Sequence, residues 1–83
     1  MQEYRKVFVE VDAHFNADGF LFPRSLTWED GTVYEIDRVL EVKRAASMKA
    51  GGIGDRYTIR VHGKTRYLWF ENPRWFVAAK TVS

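Results

Sequence analysis

Arg56, Arg60, Tyr67 and Trp69 share one face if residues 56–71 fold as a β-hairpin turning at Gly63-Lys64. Guanidinium groups interleaved with flat rings suit a single-stranded nucleic acid, because cations track its phosphates and rings stack on its unpaired bases. Lys43, Arg44 and Lys49, together with Lys64 and Arg66, widen the positive field around that face. The same residues also suit a structural role. An arginine over an aromatic ring is a common cation–π filler, and an N-terminal strand lying over Tyr67 or Trp69 would silence the face.

Other chemistry finds less support. There is no cysteine, which excludes disulfides, thiolate metal sites and cysteine nucleophiles. The glycines of Ala50-Gly51-Gly52-Ile53-Gly54-Asp55 precede a strand pattern and lack the Gly-Lys-Ser/Thr of a phosphate loop, so they read as a connector. His14-Phe15-Asn16-Ala17-Asp18-Gly19 imitates the start of a calcium loop, but Ser25 stands where a bidentate glutamate is required. His14 and His62 lie far apart in the chain and read as exposed strand-end residues, not as metal ligands. Glu35 and Asp37 read as a solvated acidic pair, and Ser25, Ser47 and Ser83 have no base placed to activate them. The expectation is a protein that is not an enzyme and carries neither cofactor nor metal.

The 83 residues, 46% hydrophobic and 16% aromatic, suit one small β domain spanning 1–83. Size scaling gives such a chain about 5,100 Å² of folded surface. No apolar run is long enough to span a membrane, and the N-terminus lacks a signal-like apolar stretch, which points to a cytoplasmic protein. The net charge of +2 conceals an asymmetry. Residues 1–37 hold eight acids and three bases, whereas residues 38–83 hold three acids and ten bases. Such a division suits an anionic partner for the basic half. Alternatively, strands from both halves interleave and the signs pair across one sheet.

The periodicity that must position these groups is two. Val7, Val9, Val11, Ala13 and Phe15 form the apolar face of a first strand, and Asn16-Ala17-Asp18-Gly19 turns the chain. A second strand covers residues 20–28, with Pro23 at an edge or bulge because it lacks an N–H. Glu29-Asp30-Gly31 makes a three-residue loop that sets Trp28 opposite Thr32 and Leu26 opposite Tyr34. A long third strand follows over residues 32–43, bent where Val39 breaks the alternation. It places Arg38 on the apolar face, where it must reach the rim or pair with an acid such as Glu71.

Residues 44–50 have the one helix-friendly composition, enough for a short turn near 44–50, and Gly51 to Gly54 form a flexible loop. The 56–71 hairpin pairs Val61 with Arg66, Ile59 with Leu68 and Tyr57 with Phe70, and a last strand covers residues 74–78. The expected fold is all-β: about six strands in an antiparallel meander, curled into an SH3-like or split β-barrel.

Several strings point the same way: Trp28-Glu29-Asp30-Gly31, Tyr34-Glu35-Ile36-Asp37-Arg38-Val39-Leu40, Ala45-Ala46-Ser47, Lys49-Ala50-Gly51-Gly52, Arg56-Tyr57, Tyr67-Leu68 and Arg74-Trp75-Phe76-Val77. Together, over roughly residues 26–78, they resemble a group of short bacterial proteins with no assigned activity. The resemblance implies a stand-alone bacterial protein with a single small β domain, and it imports no functional residue. Two functions stay open. One is a non-enzymatic module that contacts single-stranded nucleic acid through Arg56, Arg60, Tyr67, Trp69, Lys43, Arg44 and Lys49. The other is a protein–protein module or homodimer using strand edges and aromatics such as Phe22 or Trp75.

Overall fold

The alternating N-terminal run becomes β1 (Tyr4–Phe15), and this strand organises the sheet. Its first half, residues 4–9, pairs with β7 (Arg74–Lys80), and its second half, residues 10–15, pairs with β2 (Leu21–Thr27). The computed structural model describes residues 4–46 and 53–80. The remaining strands are β3 (Val33–Glu35), β4 (Arg38–Ala46), β5 (Ile53–Val61) and β6 (Lys64–Glu71). Every pairing is antiparallel, in the order β3-β2-β1-β7-β6-β5-β4, and the sheet curls into a half-barrel. Its accessible surface of 5882 Å² is about 15% above the scaling value for this mass, as an open, elongated sheet requires. Among the described residues no helix is long and apolar enough to cross a membrane.

The expected long third strand is two strands, which raises the count from about six to seven among the described residues. Ile36 and Asp37 make the break by changing partners. The Ile36 N–H donates to the Arg24 carbonyl on β2, and the Asp37 N–H donates to the Arg60 carbonyl on β5, each at 2.9 Å. Two adjacent residues therefore tether opposite ends of the strand order. The short helical turn near 44–50 is also corrected where it can be seen. Arg44, Ala45 and Ala46 extend β4, opposite Asp55, Gly54 and Ile53. A ladder outcompetes a helix too short to nucleate alone. Residues 47–50, Lys49 among them, lie outside the described residues, as do Gly51 and Gly52. Gly54 is no loop residue. It is buried in β5, where a Cβ would lie 2.6 Å from the Phe70 carbonyl oxygen.

The turns follow their residues closely. The Asn16 side-chain oxygen accepts from the N–H groups of Asp18 and Phe20, and Gly19 takes φ +82°. Trp28 pairs with Thr32 around Glu29-Asp30-Gly31, and Leu26 faces Tyr34, as the loop length predicts. Pro23 sits at a bulge, where the register jumps between Asp12 and Ala13. The β5–β6 turn is His62-Gly63, both with positive φ, and not Gly63-Lys64. Its register slips two residues from the expected one: Val61 faces Lys64, Ile59 faces Arg66 and Tyr57 faces Leu68. A two-residue slip preserves which side chains share a face.

The inner face holds the core: Leu26, Tyr57, Ile59, Leu68 and Trp75 are buried together. Tyr57 spans this interior from β5 to β2, donating its hydroxyl to the Leu21 carbonyl at 2.7 Å. The outer face carries a second apolar layer. Phe76 is fully buried and stacks on Trp69, with centroids 5.8 Å apart and planes within 5°, and Phe8 meets Phe76 edge-on at 6.0 Å. Cations plate this strip. Lys6 Nζ lies 4.8 Å from the Phe76 ring centre while bonding both Glu71 carboxylate oxygens, and the Arg74 guanidinium lies 3.4 Å from the Phe8 centroid. Contacts of this kind contribute about 0.5–2 kcal/mol each.

Candidate nucleic-acid interface

The ladder places Arg56 opposite Trp69 on one side and Lys43 on the other, with Thr58 opposite Tyr67 and Arg60 opposite Thr65. Alternation therefore sets Lys43, Arg56, Arg60, Tyr67 and Trp69 on one outer face. Their availability differs sharply. Trp69 is 6% exposed beneath its stacked contact with Phe76, which corrects its reading as a base-stacking platform. Tyr67 is 51% exposed, and the Arg56 guanidinium sits 4.6 Å from its ring centre. Arg56 also leans toward Glu41, with Nη2 3.8 Å from Oε1, and its side chain keeps 24% of its exposure. Its Nε is buried and has no hydrogen-bond partner among the described residues. Arg56 is thus a positioning cation clamped between a ring and a carboxylate.

Arg44 does not join that group. It faces Asp55 on the inner parity and pairs with it at 3.6 Å. Arg38 departs from its expected place in another way. The register shift between Val39 and Glu41 turns Val39 inward and leaves Arg38 exposed opposite Arg60, on the outer face. Its expected partner Glu71 is taken by Lys6.

Electrostatics sharpens the asymmetry between the chain halves. Glu41, Asp55 and Glu71 are the three acids of residues 38–83, and each is held in an ion pair. Lys43, Arg60, Lys64 and Arg66 have no ion-pair partner among the described residues. The basic half therefore keeps its surplus, and among the described residues ion pairing between the two halves of the chain is confined to Lys6 with Glu71.

No protein-family profile, curated protein or solved structure matches this chain.

A second feature lies outside what the sequence reading placed. β6 pairs with β7 only from Trp69 to Glu71, so residues 64–68 meet β5 but not β7. Where the two strands part, a groove of about 390 Å³ opens. Leu26, Val61 and Val77 line it, and Trp28 and Tyr34 add aromatic surface. His62, Lys64 and Arg66 contribute the charged and polar lining, and Tyr67 reaches it from the outer face. His62 meets Tyr34 edge-on, with ring centres 5.8 Å apart. The lining contains no carboxylate. Alternation does place Lys64 and Arg66 on the inner parity, but the length of the β6–β7 pairing has no sequence signal. Among the described residues no three His, Asp or Glu side chains cluster as metal donors do.

Proposed function

We propose that this protein is a non-enzymatic binding module that contacts single-stranded nucleic acid through the outer face of its β5–β6 hairpin. The observation that carries this reading is Tyr67: an exposed ring, backed by the Arg56 guanidinium, on a face where Lys43 and Arg60 have no ion-pair partner among the described residues. A ring of this kind accepts any base by stacking, and unpaired cations release condensed counterions when phosphates bind. The non-enzymatic part rests on the sequence, where no nucleophile stands beside a base. The test is fluorescence anisotropy of labelled single-stranded DNA and RNA at low and moderate salt. Saturable binding that weakens steeply with salt is expected, and no binding at low salt would retire the reading.

A second reading follows from the strand order. β4 ends the sheet, and its edge from Arg38 to Ala46 meets no further strand among the described residues. Leu40 and Val33, on β4 and on the opposite terminal strand β3, are exposed apolar residues. Open edges recruit extended partners, so a protein partner or a second copy is the alternative occupant. Light scattering across a concentration series separates the two, because a concentration-dependent dimer favours the edge.

A further inference from the structure

We infer that the groove between β6 and β7 receives one unstacked nucleotide of a bound single strand, its base against Trp28 and Tyr34 and its phosphate at Lys64 and Arg66. This inference rests on the proposed function and adds a base-reading pocket to a face that otherwise offers one ring.

Three observations carry it. First, a volume of about 390 Å³ lies within the range of small-ligand sites, and a mostly apolar lining with few polar groups is their usual composition. Second, the charge is of one sign. Lys64 and Arg66 have no ion-pair partner among the described residues, and no acid lines the groove, so the fitting occupant is anionic. Third, the rings are placed for a flat group. Tyr34 is held edge-on by His62, and neither the Tyr34 hydroxyl nor the Trp28 indole N–H has a hydrogen-bond partner among the described residues. Both are left to meet the polar edge of a base. An occupant with a planar polar ring and an adjoining anion satisfies all three. Tyr67 supplies continuity, since it belongs to the outer face by alternation and also lines the groove. A strand crossing the outer face can therefore turn one nucleotide inward at Tyr67.

The experiment compares a fluorescein-labelled thymidine octamer with an abasic octamer carrying the same number of phosphates, at low salt. In parallel, the tryptophan indole N–H resonances are followed by two-dimensional NMR. The expected result is about tenfold tighter binding of the base-bearing strand, the scale on which base–aromatic stacking acts, with a saturable shift of the Trp28 indole resonance. The buried Trp75 serves as an internal reference. The double variant Lys64→Gln, Arg66→Gln changes only exposed side chains and is expected to weaken both strands with an unchanged circular-dichroism spectrum. A Trp28 resonance that stays fixed at saturation would overturn the groove while leaving the outer face standing, whereas equal affinity for the two octamers would overturn the groove and the stacking of bases on Tyr67 together. Failure of both strands to bind would overturn both readings together.

Discussion

Trp69 and Tyr67 lie two residues apart on the same face of β6, yet their environments divide their roles. Trp69 is packed on Phe76, so Trp69→Ala removes a buried ring and is expected to cost about 3–5 kcal/mol in a urea melt. Tyr67→Ala removes a half-exposed ring. It is expected to leave the melt within about 1 kcal/mol of the parent and to lower strand affinity about tenfold in anisotropy titrations. If Tyr67→Ala binds as the parent does, the ring takes no part. Alternation showed that the two residues share a face, but not which one is covered, because the covering Phe76 lies on β7 and the β6–β7 pairing stops at Trp69, a length the sequence does not signal. Tyr57 provides a separate residue-scale test. Burial first, and the Asp55 charge second, raise its phenol above the ordinary value of 10.0. A raised acid stabilises the fold fully below that ordinary value and loses its contribution as pH rises through the higher folded value. Tyr57→Phe is expected to cost about 0.5–1.5 kcal/mol at neutral pH, through loss of the bond to Leu21, and to reduce the loss of stability measured in melts above pH 10.

At the scale of elements, Gly54 decides how closely β5 and β6 approach. A Cβ there would lie 2.6 Å from the Phe70 carbonyl oxygen, with backbone atoms that cannot swing aside. Gly54→Ala must push the two strands apart and is expected to lower stability by about 1–3 kcal/mol in chemical denaturation. An unchanged midpoint would show that the hairpin yields locally. The turns at residues 16–19 and 29–31, the bulge at Pro23 and the inward faces of β1 and β5 were legible because Gly, Pro, Asn and alternating apolar residues act locally. The hairpin register was missed by two residues because His62, not only Gly63, takes positive φ, which is uncommon for a residue with a Cβ. The break at Ile36-Asp37 carries neither Gly nor Pro. It exists because Arg24 and Arg60 offer carbonyls on different strands, and that is a property of the assembled sheet.

For the whole molecule, what matters is how many cations act together. β1 joins the acidic and basic halves of the chain, while the three acids of residues 38–83 are each occupied by a neighbouring base. This leaves Arg38, Lys43 and Arg60 on the outer face and Lys64 and Arg66 at the groove. For single strands, the logarithm of affinity falls with the logarithm of salt by about 0.7 for each phosphate neutralised. A strand held by the outer face alone should give a slope of about −2.1. A strand that also enters the groove should give about −3.5. The double variant Lys64→Gln, Arg66→Gln should then return the steeper slope to the shallower one without altering the fold. A parent slope already near about −2.1, unmoved by that variant, would confine the contact to the outer face. The parting of β6 from β7 would then have a role other than holding a strand.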